Sequence, residues 1–306
     1  MPSDFVCLNA MPGLGCNYPE SLVLGILYLF SGLVCFFLLV RDCRQSKTEN
    51  HASKSVTRQV IVYWIFTMIW LFYRGILWIY PFNYNHLTFR LFHGGLNQIL
   101  FLIPIAMIIL ILCELLYSYY NPGKSGTFFR IIFVVFLIVF LVTGIALSFI
   151  DSDEDTGDPD DAVSPLYLWG GATNLITLVF VVIPAAKLIK AVSYPVTQPE
   201  DEGCVKCSIV GIVIFSIFQI TRCIYNILQH FGANFITKWY NEELFQKGGH
   251  SIGLRSFNFV FYLLYDLVCI WIANIGVVTL YKHDMKFADD PFYARTPNDP
   301  IGFRSY

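Results

Sequence analysis

The sequence predicts an all-α, polytopic membrane protein with seven transmembrane helices, its N-terminus outside or lumenal and its C-terminus cytosolic. Three observations predict it. Of 306 residues, 56% are hydrophobic and only 14% charged, whereas a soluble domain is about a quarter charged. Seven continuous apolar stretches reach the roughly 20 residues a helix needs to cross a bilayer. Lys and Arg concentrate on alternate connections, as the positive-inside rule requires of a protein that crosses repeatedly.

The first span runs from Ser21 to Val40, after a tail (1–20) that holds no Lys or Arg. That tail lacks the basic start and small-residue cleavage site of a secretory signal. Its Cys7 and Cys16 form a candidate disulfide. The next connection carries Arg41, Arg44, Lys47, Lys54 and Arg58, with Cys43 a candidate acylation site at the span's edge. The second span, Val60 to Tyr80, sets Tyr63, Thr67, Trp70, Arg74 and Trp78 on one helical face. The third, Leu91 to Tyr119, has His93, Asn97 and Gln98 in its outer part, which mark a candidate polar cavity, and Glu114 near its inner end. Pro104 in this span and Pro184 in the fifth are expected to bend their helices locally.

The fourth span, Arg130 to Ile150, leads into an acidic loop with seven carboxylates between Asp151 and Asp161. Its Asp-x-Asp-x-Asp start resembles a calcium loop. Glycine comes one place late, however, and no acid holds the twelfth position, so a solvated acidic loop is expected instead. The fifth span runs from Pro165 to Ile189, the sixth from Ser208 to His230 and the seventh from Ser256 to Tyr281. Cys204 and Cys207 form a lone pair with no second one to complete a zinc site. Residues 282–306 read as a flexible cytosolic tail. None of the spans alternates as a barrel strand would.

Fourteen of the twenty Lys and Arg fall on the side that includes the 41–59 connection and the C-terminal tail. Four fall on the other side, and Arg74 and Arg222 lie within spans. This asymmetry sets the orientation.

Gln219, Arg222, Asn226 and Gln229 form one polar stripe in the sixth span. A charge inside a membrane span faces protein or water and has a partner. Arg222 sits eight residues from the outer end, about 12 Å deep, and Asp266 ten residues into the seventh span, about 15 Å deep. Consecutive antiparallel spans pack together, so depth alone pairs Arg222 with Asp266. Arg74 lies nearer the outer surface, able to snorkel or to join the same network. With Glu114 these make a candidate buried network of Arg74, Glu114, Gln219, Arg222, Asn226 and Asp266. Two readings stand side by side. Such charges lock helices together, or they line a ligand or ion path.

Several chemistries are not supported. The seventh span has no lysine for a retinal Schiff base. A seven-span zinc hydrolase needs histidines and an acid at the inner end of the bundle, but only His93 and His230 touch spans, both toward the outer side. No base stands beside a serine or cysteine nucleophile, and no phosphate-binding glycine loop is present. The expectation is therefore no enzyme, no cofactor and no metal. The third span ends in Glu114-Leu-Leu-Tyr and the seventh in Asn274-Ile-Gly-Val-Val-Thr-Leu-Tyr281, so the marks of rhodopsin-like receptors are missing too.

Some segments carry a resemblance. Leu102-Ile-Pro104 followed by Cys113-Glu114-Leu-Leu-Tyr117 resembles the third span of the plant tobamovirus-multiplication proteins and their animal lysosomal relatives. Tyr73-Arg74 is similar to the arginine of that family's second span, and Arg222-Cys-Ile-Tyr225-Asn226 to its sixth-span motif. Tyr262-Leu-Leu-Tyr-Asp266 resembles its seventh-span motif, with Asp in place of Glu and without the proline that follows there. The resemblance covers the spans from about 60 to 281. It implies a seven-span, receptor-like protein of the vacuolar or lysosomal membrane. Plant members anchor viral replication complexes, and animal members are linked to recruitment of growth-signalling GTPases.

The function expected from all this is a non-enzymatic receptor-like or scaffold protein of an endomembrane. Its partners would be membrane lipids and cytosolic proteins, with small GTPases or their regulators implied by the resemblance, and no nucleic acid. Two alternatives remain: a small-solute or proton-coupled transporter that uses the Arg222–Asp266 pair, and an orphan ligand receptor with an outer polar cavity.

Overall fold

The computed structural model describes residues 19–46, 51–79, 96–120, 127–150, 199–230, 239 and 251–282, together with helical turns at 169, 172–173, 175–176, 179–180 and 182–187. At 51–56, 97–98, 115–120, 127–130, 132–133, 148–150, 199–205, 223 and 225–230 it describes the backbone alone. The described residues are helical almost throughout. α1 spans Pro19–Gln45, α2 His51–Ile79, α3 Asn97–Tyr120, α4 Thr127–Ile150, α5 Pro199–His230 and α6 Ile252–Lys282. By length and composition, α1, the Thr57–Ile79 part of α2 and α6 can cross a membrane. α3 and α4 add shorter apolar stretches, Ile99–Glu114 and Val134–Leu147. The chain is thus all-helical and compatible with an integral membrane protein.

The helices outrun their apolar stretches. α1 continues to Gln45 and α2 begins at His51, so Arg41, Arg44 and Arg58 stand on helices rather than in a loop. No Pro or Gly falls within residues 41–45 or 51–59, and a helix once formed propagates through residues of fair propensity. α5 begins at Pro199, in the first-turn position that suits proline's missing N–H. α3 keeps Pro104 inside the helix. Ser251 caps α6, its hydroxyl accepting from the Leu254 N–H at 3.2 Å.

Glycines bring the backbones together. A Cβ on Gly25 would stand 3.1 Å from the Gly75 carbonyl oxygen, and one on Gly75 would stand 3.1 Å from that of Gly25. This close crossing joins α1 and α2, which run antiparallel. α5 and α6 cross likewise, where a Cβ on Gly211 would meet Gly276 Cα at 2.7 Å. Small residues at such crossings let helices pack where lipid removes the hydrophobic drive for association. The core between α1, α2, α3, α5 and α6 is aromatic, with Tyr28, Tyr63, Trp70, Phe215 and Tyr281 fully buried. A smaller cluster joins Ile99 and Ile103 of α3 to Phe140 of α4 and to Trp169. Outward faces are apolar, as Phe30 and Phe37 of α1 and Val135, Val139 and Val142 of α4 illustrate.

α6 and α1 run parallel. Arg255, near the start of α6, binds Glu20 at the start of α1, and Lys282 at the end of α6 binds Asp42 near the end of α1. α6 contains two π-helical segments, Leu263–Val268 and Asn274–Val278. Such wide turns recur at functional sites, and the first of them holds Asp266.

Candidate functional site

Polar side chains meet α6 at three levels. The middle level is a buried charged cluster around Asp266, itself 2% exposed. Its Oδ1 accepts from Arg222 Nη1 of α5 at 3.1 Å and its Oδ2 from the Tyr28 hydroxyl of α1 at 3.0 Å. Arg74 of α2 brings Nη2 to 3.7 Å of Oδ2, an ion pair longer than a hydrogen bond. Four helices therefore converge on one carboxylate. The π segment contributes directly. At this wide turn the Tyr262 carbonyl lies 3.4 Å from the Tyr28 hydroxyl and the Tyr265 carbonyl 3.4 Å from Arg222 Nη1, each accepting from a side chain.

Aromatic rings hold the guanidiniums. Arg222 lies over Phe101 of α3, Cζ to ring centroid 3.7 Å, and Arg74 lies 4.7 Å from Tyr262 and 5.8 Å from Trp78. Ring quadrupoles stabilise a desolvated cation by about 1–2 kcal/mol. The cluster nonetheless contains two guanidiniums and one carboxylate. Arg74 Nε is buried without a hydrogen-bond partner.

About 22 Å along α6, by helical rise, lies the second level. Glu114 of α3 is 4% exposed. It accepts from the Tyr281 hydroxyl at 2.8 Å and from Gln59 Nε2 at 3.2 Å, and Tyr281 also meets Gln59 Oε1. Beside it Asp42 is fully buried. It accepts from Trp64 Nε1 at 2.9 Å, from Arg41 Nε at 3.2 Å and from Lys282 Nζ. The third level closes the opposite end of α6. There Arg255 Nη2 stands 2.6 Å from both Glu20 oxygens. A cavity of about 10 Å³ adjoins it, lined by Glu20, Leu24, Trp78, Asn258 and others; that is room for one water.

Between the cluster and the Glu114 level, Gln219 donates from Nε2 to Cys269 Sγ at 3.0 Å. Tyr63 Oη, Thr67 Oγ1, Trp70 Nε1, Ser208 Oγ and both amide atoms of Asn274 are buried and make no hydrogen bond of ordinary geometry among the described residues. In folded proteins such atoms bind ordered water.

The structure thus brings Arg74, Arg222 and Asp266 together, with Gln219 one turn away on α5, and sets Glu114 apart at the other level. Asn97, Gln98, Asn226 and Gln229 are described by backbone only. His93, Lys47, Cys7, Cys16 and the acidic loop lie outside the described residues, and Lys54 has its backbone alone described. Arg41, Arg44, Arg58 and Cys43 are exposed. Sequence reasoning missed Tyr28, Asp42, Gln59, Trp64, Tyr281 and the Glu20–Arg255 pair. Asp42 left one signal, an acid between Arg41 and Arg44 in a connection of five bases and one other acid, Glu49. Among the described residues no three of His, Cys, Asp and Glu stand together as metal ligands would. No protein-family model, no curated protein and no solved structure matches this chain.

Proposed function

We propose that this chain is a seven-span, receptor-like membrane protein without enzymatic activity, which recruits cytosolic partners to an endomembrane. The observation that carries the reading is the Asp42 end of the bundle. There a buried carboxylate ties α6 to α1 through Lys282, while Arg41, Arg44 and Arg58 project exposed beside it. A movement of α6 felt at Asp266 therefore reaches a basic surface built to bind proteins or anionic lipid. Juxtamembrane bases contribute about 1 kcal/mol each near an anionic leaflet. The parallel course of α1 and α6 supports an odd number of crossings between them, as seven spans require. The resemblance to tobamovirus-multiplication proteins and their animal relatives favours a vacuolar or lysosomal membrane and small GTPases, or their regulators, as partners.

The test is proximity labelling of the tagged full chain, together with its location. Neutralising Arg41, Arg44, Lys47, Lys54 and Arg58 is expected to remove the cytosolic neighbours. An unchanged set of neighbours overturns the reading.

A second reading, a proton-coupled or small-solute carrier, draws on the buried polar atoms of Tyr63, Thr67, Ser208 and Asn274 between the two acidic levels. Flux in proteoliposomes that is present in the native protein and lost in Asp266→Asn would favour it.

A further inference from the structure

We propose that Arg74, Arg222 and Asp266 form a binding site for an oxyanion, a carboxylate or phosphate group that enters beside α5. The inference rests on the receptor-like reading and names the ligand class of its buried cluster.

Charge is out of balance in the cluster. Arg74, 3% exposed, and Arg222 share Asp266, the one carboxylate that either meets among the described residues. Each guanidinium carries a full positive charge, so the pair holds one more than the cluster's carboxylate balances. The other acids with described side chains are committed elsewhere along α6: Glu20 to Arg255, Asp42 to Lys282 and Arg41, and Glu114 to Tyr281 and Gln59. Helical rise puts them about 16 Å or more from Asp266. A buried cation without its counter-charge costs far more than an exposed one. Aromatic faces offset part of that cost, but they supply no hydrogen-bond acceptor.

Geometry gives the site an open side. Among the described residues the hydrogen bonds of Arg222 run from Nη1, to Asp266 Oδ1 and to the Tyr265 carbonyl. Among the described residues its Nε and Nη2 meet no acceptor, and its side chain is 15% exposed. Phe101 supports one face of the guanidinium plane. That leaves a fixed edge of parallel N–H donors, the geometry that takes a carboxylate or phosphate through two hydrogen bonds. Arg74 supplies a second positive charge on the other oxygen of Asp266, with its buried Nε unpartnered among the described residues. The ligand's charge would complete a two-to-two balance. Its binding would also compete for Arg222 with Asp266, on the π segment of α6, and so bias that helix.

A free small oxyanion and an anionic lipid headgroup present the same chemistry, and the experiment separates them. The full chain is purified in uncharged detergent, and its melting temperature is followed against sodium phosphate and, separately, sodium octanoate. A parallel set in nanodiscs compares phosphatidylcholine alone with phosphatidylcholine plus phosphatidylglycerol. The expected result is a saturable rise with at least one of the three. A rise confined to nanodiscs identifies the lipid as the source, and a rise in detergent identifies a soluble ligand.

Arg74→Gln leaves one guanidinium facing one carboxylate, and is expected to weaken the response at least tenfold. Arg222→Lys keeps the charge and loses the two-pronged edge. It is expected to weaken the response about tenfold to a hundredfold, and it serves if Arg74→Gln does not fold. Asp266→Asn is expected to respond at lower anion concentration than the native chain. No saturable rise in any arm overturns the proposal, as does a response unchanged in Arg222→Lys. Neither outcome touches the recruitment reading, which proximity labelling decides without an added anion.

Discussion

Replacing Asp266 by Asn is the sharpest perturbation of the buried cluster. It preserves shape and removes one charge. The native cluster holds two guanidiniums against one carboxylate at 3.1 and 3.7 Å. At an effective dielectric constant of about 20, those separations correspond to gross attractions of about 5 and about 4.5 kcal/mol. Desolvation offsets most of this, and removing one partner from a buried pair costs about 3–5 kcal/mol net. Arg222→Leu should cost less, about 1.5–3 kcal/mol, the range of a hydrogen bond to a charged group. It leaves Asp266 with Arg74 and with the Tyr28 hydroxyl at 3.0 Å, and its balance of charge is even. Replacing all three as Arg74→Met, Arg222→Leu and Asp266→Leu should recover much of the loss, because no charge is then stranded. Reversible unfolding of the full chain in mixed micelles measures the order. The expected ranking, from most to least stable, is native, Arg222→Leu, Asp266→Asn. An Arg222→Leu variant as unstable as Asp266→Asn would refute the argument, since the second guanidinium would then contribute nothing.

Other expectations follow from the packing and the two end levels. Gly276→Ala should cost about 1–3 kcal/mol by overpacking, because its Cβ would stand 2.7 Å from the Gly211 carbonyl carbon, a backbone atom that cannot rotate away; yield and melting temperature of the purified variant check it. Trp64→Phe removes the indole N–H that Asp42 Oδ2 accepts at 2.9 Å and should cost about 1.5–3 kcal/mol, read by the same unfolding measurement. Glu20→Gln should cost no more than about 1 kcal/mol, since Glu20 and Arg255 are 35% and 17% exposed, and the difference from the native chain should shrink as salt is raised. A difference that persists at high salt would show the pair to be shielded from solvent.

The chemical class of the chain is legible in its residues alone. Continuous apolar stretches can satisfy their backbone in lipid only as helices, and helices are what the described residues form. The sequence also pairs Arg222 with Asp266, because depth along a helix is a coordinate it supplies at a fixed rise per residue. In the structure those groups stand 3.1 Å apart. Depth says nothing about rotation, or about which non-consecutive helices touch. That Arg74 turns inward to share Asp266 instead of snorkelling was decided by the Gly25–Gly75 crossing of α1 on α2 and by the Tyr262 and Trp78 rings around its guanidinium. Tyr28 joins from a helix 238 residues away in sequence, a separation across which no spacing rule operates. No spacing in the sequence assigns Asp42 a partner; α6 ends against it and delivers Lys282. The π turn at Leu263–Val268 leaves no mark in hydrophobic periodicity. It forms where the backbone widens to let two carbonyls meet Tyr28 and Arg222. The identity of the charges was written in the chain, and their number around one carboxylate was set by how four helices rotate against each other.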